Sequence, residues 1–428
     1  MRRSLLVLAL LPLVAGALGA QAVPEGSQAA KVDPAYRRTP TFRVDPFRHA
    51  MIPHWGFVFS GGATGENNTL NLADARAAIY LADNDSLLAG DVLDILGLIP
   101  DGKGLKGSAL GEGGFYLGGP FGSHFSLGLS AQARGYGGFQ LDDSFAALLR
   151  DGNGARQQFS LGNSKGAALA TAEGGAHVVL RFGPLGSEDG MNLNLGFGAR
   201  YIRPIAFARM RSTVANGGVI RVTGDSVVAN IGVELATTPE PLDSTLKNGK
   251  ASLAGDFLVR LTWPTSGFAL EAMVANLGNV TVHLVETEAK RFNVATTNFQ
   301  EVADSLDSFD SLSVKDTLDL KVKLPRIVRF TASAWANRFL QVDVSTTLPV
   351  SGDFESPLSV DVGTTWRLIR TLPLRAGLVL GGDQGIGFTG GLAIEGRNMF
   401  LQIMGQSLGG LFRNATGGGA RVELGTFF

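Results

Sequence analysis

The residues with the clearest catalytic pattern form a short motif near the end of the chain. Gly405-Gln406-Ser407-Leu408-Gly409 has the G-x-S-x-G spacing of a serine nucleophile on a strand–turn–helix element. That chemistry requires an acid and then a histidine downstream, and the last histidine of the chain is His283. Because the motif directly follows an apolar run over 399–404, we interpret it as strand and turn.

A second motif has the spacing of a phosphate-binding loop. Gly385-Ile386-Gly387-Phe388-Thr389-Gly390 reads G-x-G-x-x-G, which binds a dinucleotide when a helix starts there and an acidic residue follows about twenty positions later. An alternating apolar run over 388–394 follows instead. We therefore expect these glycines to let a strand bend.

The histidines are scattered. Only His49 and His54 approach metal-ligand spacing, whereas His124 and His177 fall on the polar faces of apparent strands and His283 stands alone. The chain has no cysteine, which excludes thiol catalysis, iron–sulfur clusters and lipid attachment through an N-terminal cysteine. We assign no catalytic, cofactor-binding or metal-binding residue, expect no enzyme and no cofactor, and leave the ligand-binding residues unknown.

An acidic segment lies in the longest non-alternating stretch, residues 290–315. Glu301, Asp304, Asp307 and Asp310 recur mostly every three residues, as on one face of a short helix in an extracellular loop. A calcium site is the alternative, but the EF-hand pattern with its central glycine is missing. We favour a solvated face.

The composition narrows the class of protein further. The 37 Lys and Arg balance 38 Asp and Glu, so the chain lacks the basic surplus of a nucleic-acid-binding protein, and no nucleic-acid partner is expected. Charged residues make up only 18%, below the usual ~25%. Glycine reaches 58 of 428 residues, about twice its average usage of roughly 7%, within alternating apolar runs.

The first 22 residues have the features of a secretory signal peptide. Arg2 and Arg3 precede a short apolar stretch that ends in Ala20-Gln21-Ala22, a small-x-small cleavage pattern. The stretch is shorter than the ~20 residues that a membrane-spanning helix needs. We predict cleavage after Ala22, with Ala20 as the alternative, and export from the cytoplasm.

Apolar residues then alternate with polar residues or glycine through most of the remaining chain. The clearest runs are 125–133, 168–182, 191–201, 227–235, 340–348, 358–366 and 420–428. Successive side chains of a strand point to opposite faces, so each run has one apolar and one polar face. A soluble two-sheet sandwich also alternates. Several runs are longer than the usual five or six residues of soluble strands, however, and they fit tilted membrane strands.

The ends of these runs support a transmembrane barrel in outer-membrane lipid. Trp263, Trp335 and Trp366 close strands where an aromatic belt would meet the membrane surface. The chain ends on Phe428 at the close of an alternating strand, a feature by which bacterial outer-membrane barrels engage their insertion machinery, although Gly425 and Phe427 fit that pattern imperfectly. The prediction is an all-β transmembrane antiparallel barrel of about fourteen strands, within a range of about twelve to sixteen.

The chain before and between these strands divides into a few further segments. Residues 23–54 are rich in proline and read as a leader or plug, and 55–428 form the barrel with a helical insert over 66–100. Helices are expected over 70–81, 86–99 and 142–150. They could decorate one rim or lie inside as a plug.

Two stretches resemble the FadL and TraF-like superfamily of outer-membrane barrels, as an uncharacterised branch. The first is Leu324-Pro325-Arg326-Ile327-Val328-Arg329-Phe330, which resembles a strand opening of those proteins, and the second is 68–153, with its strand, short helices and hairpin. FadL resemblance implies uptake of hydrophobic compounds through a barrel with an N-terminal hatch. TraF-like resemblance implies a structural or conjugation-associated role.

Three functions follow from these expectations. The first is a channel or transporter for hydrophobic or small solutes, with a hydrophobic ligand. The second is a structural or assembly barrel that binds partner proteins through its loops and does not transport. The third is a barrel enzyme that uses a Ser/His or Asp/His site.

Overall fold

The computed structural model of the chain describes one antiparallel sheet that closes on itself. The residues described are 46–51, 54–71, 99, 104–144, 146–147, 158–160, 162, 164–185, 190–213, 218–223, 226–238, 251–296, 314–337, 339–354, 358–369, 371–382, 385–396, 398–411 and 414–428. Within them no helix is long and apolar enough to cross a membrane. The signal peptide, nearly all of the helices predicted over 70–81 and 86–99, and the acidic residues Glu301 to Asp310 lie outside the described residues.

One short complete helix, four further helical residues between 143 and 147, and eighteen strands make up the described structure. Helix α1 is Pro46–Ala50. The first nine strands are β1 (Gly56–Asn67), β2 (Leu105–Pro120), β3 (Phe125–Leu141), β4 (Gln158–Ser160), β5 (Lys165–Leu185), β6 (Met191–Ser212), β7 (Val219–Thr223), β8 (Ser226–Thr237) and β9 (Ser252–Trp263). The other nine are β10 (Phe268–Thr296), β11 (Val314–Lys323), β12 (Arg326–Asn337), β13 (Leu340–Ser351), β14 (Ser359–Ile369), β15 (Leu372–Gly381), β16 (Gly385–Glu395), β17 (Met399–Leu408) and β18 (Gly417–Phe427).

The first and last strands pair and close the ring. β1 lies antiparallel to β18, with Gly56 opposite Phe427, and pairs with β2 along its other edge. Hydrogen bonds fasten the closure: the Phe428 N–H donates to the Trp55 carbonyl at 2.9 Å, and Trp55 Nε1 donates to the Pro120 carbonyl at 3.1 Å. Closure satisfies the backbone groups that an open sheet edge would expose to lipid.

The eighteen strands fill fourteen positions around the wall. β8 and β9 follow each other between β6 and β10, so together they occupy one position. β11 and β12 likewise share the position beside β10. β4 and β7 extend the sheet from the edge of β8. The described strands thus outnumber the predicted fourteen, whereas the ring that they form has fourteen positions.

The wall is much taller on one side than on the other. β5, β6 and β10 have 21, 22 and 29 residues, whereas β13 to β18 have 10 to 12. The connections β12–β13, β14–β15 and β16–β17 are short, which marks that end as periplasmic and the opposite end as extracellular.

Three boundaries differ from the prediction. Residues 290–296 belong to β10 and not to a loop, because they pair with β8. Glu66 and Asn67 end β1, so these two residues do not belong to the predicted insert. In the predicted 142–150 helix, Asp143, Ser144, Ala146 and Ala147 are helical, and its other residues from 145 on lie outside the described part.

Side chains sort cleanly between the two faces of the wall. The outward face carries exposed large apolar residues, and examples from eight strands are Phe59, Phe115, Leu129, Phe197, Leu253, Leu378, Ile403 and Leu424. Trp335 does not join an outer aromatic belt: it is 5% exposed and packs beside Gly267, so that prediction was wrong for this residue. The inward face carries most of the buried charged residues.

Candidate functional site in the barrel interior

A continuous band of charged side chains, here called the ionic belt, lines the interior. Its members come from six strands and are Glu112, Arg134, Glu173, Arg200, Asp256, Arg421 and Glu423. Strand alternation places them there, because each is an isolated charge on the polar face of its strand. The belt covers the tall side of the wall and the β1–β18 closure.

Arg200 is the centre of the belt. It is 1% exposed, and its Nη1 donates to Glu173 Oε2 at 2.6 Å. Its Nε and Nη2 donate to the two carboxylate oxygens of Asp256 at 2.7 and 2.9 Å, and Nη2 also donates to Asn276 Oδ1 at 2.5 Å. A bidentate guanidinium–carboxylate pair of this kind fixes both orientation and charge.

Arg421 holds the belt at the barrel closure. Its Nη1 donates to Glu112 Oε1 at 2.7 Å, its Nε to Glu423 Oε1 at 3.1 Å and its Nη2 to Ser60 Oγ at 2.7 Å. Between the two ends, Arg134 lies 3.4 Å from Glu112 and 3.5 Å from Glu173. Arg134 is therefore held by longer contacts than Arg200 or Arg421.

Further ion pairs continue the polar lining around the wall. On β9, β10 and β12, Arg260 lies 3.1 Å and Arg329 3.5 Å from Glu271. On the short side, Arg375 bridges Asp343 and Asp361, with the second contact at 2.7 Å. Acids and bases thus nearly balance along the interior. Burying such charges without partners would cost several kcal/mol each, so the pairing is what allows a polar interior here.

An apolar layer lies directly beyond the belt on the extracellular side. We call it the upper apolar cluster; its buried members are Tyr136, Leu169, Ile202, Phe207, Ala236, Ala254, Val280, Val282, Val285, Val322, Leu324 and Phe354. On several strands the lining changes from charged to apolar between two successive inward-facing residues. Tyr136 follows Arg134, Ile202 follows Arg200, and Ala254 precedes Asp256. The layer is thus stacked on the belt.

The outer surface becomes polar where this inner layer remains apolar. Along β6 the outward side chains are apolar up to Tyr201, and the next is Arg203; along β10, Asn279 follows Leu277. Inward residues beyond those points, such as Phe207, are still apolar and buried. Part of the upper apolar cluster therefore lies at the extracellular mouth, beyond the apolar outer band.

Helix α1 lies inside the barrel on the periplasmic side of the belt. Phe47 is fully buried and meets the His177 ring edge-on, with ring centroids 5.3 Å apart. His49 stacks on Tyr116 at 4.7 Å, and Ala50 faces Gly128. A Cβ on Gly196 would come within 2.7 Å of the Phe47 ring, so glycine there lets the helix dock.

The structure separates the residues of the sequence motifs. Gly385–Gly390 belongs to β16, and Ser407 lies on β17, where its Oγ donates to the Gly410 carbonyl at 2.7 Å. His49 is 7% exposed inside the barrel, whereas His54 is exposed, and His124 lies in the β2–β3 turn, not on a strand face. Within the described part of the chain, no group of three or more metal-ligand side chains comes together.

Sequence reasoning assigned no role to His177 or to the residues of the ionic belt. His177 Nε2 lies 3.8 Å from Asp256 Oδ2, on the polar face where the alternation places it. The sequence signal for the belt was the isolated charge within each polar face. Alternation could not show which charges would meet across strands, because that depends on register.

The fold is a closed antiparallel barrel with an apolar outer surface and an interior of paired charges. These features define an outer-membrane β-barrel protein, whose outer surface contacts the lipid of that membrane. No protein-family model and no curated protein matches the chain.

A solved structure of a hydrocarbon channel shares this fold, and two further structures show weaker similarity. A TodX ΔS2S3 mutant monoaromatic hydrocarbon channel matches 96% of this chain and 96% of its own, with 10% identity and a TM-score of 0.51. The Ralstonia pickettii toluene transporter TbuX matches 94% of this chain and 99% of its own at 9% identity (TM-score 0.46). A Pseudomonas aeruginosa FadL homologue matches 96% of each chain at 10% identity (TM-score 0.43). The similarity to the TodX mutant channel confirms the expected barrel fold.

Proposed function

We propose that the protein is a channel or transporter for hydrophobic or small solutes. The observation that carries the proposal is the upper apolar cluster, a buried apolar layer on the inner side of the wall that reaches the extracellular mouth beyond the outer apolar band. Its side chains do not contact lipid, and when the layer opens they give a hydrophobic solute apolar groups against which it can leave water. An assembly barrel that binds partners through its loops does not need such an interior.

The uptake test changes the chemistry of this surface while keeping its shape. Val280→Thr with Val285→Thr replaces two inward methyl groups by hydroxyls. At about 0.8 kcal/mol for each lost apolar carbon, uptake of a neutral hydrophobic probe should slow about tenfold. The measurement is the fluorescence rise of N-phenyl-1-naphthylamine in intact cells, whose outer leaflet slows such probes.

The control for this test is Val422→Thr on the outward face, where the side chain is 46% exposed. It should leave uptake unchanged at equal surface abundance. If the double variant takes up the probe as fast as the natural protein, transport through the cluster is rejected and the assembly role is favoured.

We further propose that α1, as part of the 23–54 segment, acts as the plug of the barrel. The support is its position: Phe47, Ala50 and Met51 are buried among Val179, Leu258 and Met273 of the wall. Phe47→Ala should loosen the helix and raise single-channel conductance in planar bilayers. Phe59→Ala, on the outward face and 53% exposed, is the matched control.

The first 22 residues remain a proposed signal peptide. We also propose that the strand ending at Phe428 is recognised by the barrel-insertion machinery; its support is the position of β18 as the closing strand.

A further inference from the structure

One buried hydroxyl in the upper apolar cluster lacks a well-formed hydrogen bond. Tyr136 is 6% exposed, its ring packs 5.7 Å from the Phe354 ring, and its hydroxyl interacts with the Arg134 side chain without the geometry of a normal hydrogen bond. Buried tyrosine hydroxyls normally find a partner, and leaving one unsatisfied is costly. Phenylalanine would fill the same space without that cost, so packing does not account for the hydroxyl.

A second weakly bonded donor lies next to it. Arg134 is the preceding inward residue on β3, and its side chain interacts with the Tyr136 hydroxyl. Its buried Nε makes no well-formed hydrogen bond and lies 3.4 Å from Glu112 Oε2, and its Nη1 lies 3.5 Å from Glu173 Oε2. Arg200, by contrast, makes four contacts of 2.9 Å or less. A buried N–H and a buried O–H, neither with a well-formed hydrogen bond, therefore lie at the boundary between the upper apolar cluster and the ionic belt.

We propose that this boundary is a binding site for a neutral hydrophobic molecule that carries an acceptor oxygen, such as an alcohol, a phenol or a ketone. The inference rests on the proposed function and names its solute class. The oxygen accepts from Tyr136 Oη and Arg134 Nε, and the apolar body lies against the cluster. The Phe354 ring, which comes from the connection after β13, holds that place in this structure, so the solute displaces it.

The charges around Arg134 decide against an anion. Glu112 and Glu173 flank the guanidinium, and each also pairs with a second arginine. The ionic belt as a whole holds four carboxylates against three guanidiniums. Another carboxylate would therefore add to a net negative charge in a poorly solvated interior, whereas an uncharged oxygen needs only the donors. A pure hydrocarbon satisfies neither donor, and it gains only the apolar contact.

The test compares three probes of one shape: 2-naphthol, naphthalene and 2-naphthoate. Equilibrium dialysis of proteoliposomes against empty liposomes of the same lipid measures binding to the protein after subtraction of lipid partitioning. The natural protein should bind naphthol about tenfold more tightly than naphthalene, as expected for a hydrogen bond that relieves an unsatisfied donor, and naphthoate least. Tyr136→Phe should abolish the preference for naphthol and leave naphthalene binding unchanged.

Two variants complete the design. Phe354→Ala should increase the affinity for naphthol and naphthalene alike, because it vacates the place beside Tyr136. Tyr201→Phe, on the outward face and 56% exposed, should change nothing.

The outcomes separate this inference from the proposed function. Equal binding of naphthol and naphthalene, an unchanged preference in Tyr136→Phe, or tightest binding of naphthoate would overturn the inference while leaving hydrophobic transport intact. Failure of all three probes to bind, in the natural protein and in Phe354→Ala, would reject the proposed function and this inference with it.

Discussion

Removing Arg200 tests whether ion pairing is what makes the polar interior stable. Arg200→Met keeps much of the side-chain volume and leaves Glu173 and Asp256 buried, at 4% and 6% exposure, without their main partner. Loss of one member of a buried ion pair typically costs about 3–5 kcal/mol. Arg134 stays 3.5 Å from Glu173 and compensates part of that charge, so we expect the lower end, about 3 kcal/mol.

The assay is equilibrium unfolding in denaturant with the protein in lipid vesicles, followed by the fluorescence of its four tryptophans. Arg211→Met is the matched control: its side chain is 53% exposed, and its partner Glu234 keeps Arg209 at 2.9 Å. An exposed pair of this kind is worth about 0–1 kcal/mol.

A triple variant shows whether the lost free energy of unfolding comes from unpaired buried carboxylates. Adding Glu173→Gln and Asp256→Asn to Arg200→Met removes both buried charges and should recover most of the lost stability. The ion-pairing argument fails if the free energy of unfolding of Arg200→Met lies within about 1 kcal/mol of that of the natural protein, or equals that of Arg211→Met.

Two further predictions concern the wall. Gly114→Ala should destabilise the barrel by about 1–3 kcal/mol, because the new Cβ would lie 2.4 Å from the Ala131 carbonyl. Gly111→Ala is the control, because its Cβ would enter open space. Equal stability of the two variants in denaturant unfolding would contradict this packing. Ile403→Arg, on the lipid face, should cost about 2–4 kcal/mol in the same vesicles, whereas an unchanged midpoint would show that this face does not meet lipid.

The barrel was predictable because lipid enforces the alternation on nearly every strand. The runs 168–182 and 191–201 lie within β5 and β6, and the apolar side chains at the even positions of the first and the odd positions of the second point outward. The fourteen positions of the ring followed from length alone. The height of the tall side did not: residues 290–296 continue β10 because β8 pairs with them, and a long-range partner leaves no local signal.

The interior was less accessible to sequence reasoning for the same reason. Arg200 and Asp256 are 56 residues apart, and they meet only because Gly198 stands opposite Asp256 in the β6–β9 register. The upper apolar cluster was hidden too. Val282 and Val285 both face inward only because the β10 register shifts between them, which breaks the period of two.

The pairing of β1 with β18 sets the order of events in biogenesis. The partner of β1 is β18, the last strand of the ring in chain order, so the ring stays open until β18 has been synthesised and exported. Through that interval the edges of β1 and β17 have no strand beside them, and either could pair with a neighbouring molecule. A chain truncated before Gly417 would keep thirteen of the fourteen wall positions but lack the strand that closes the ring. We expect such a chain to be bound by chaperones and degraded instead of inserted into the membrane.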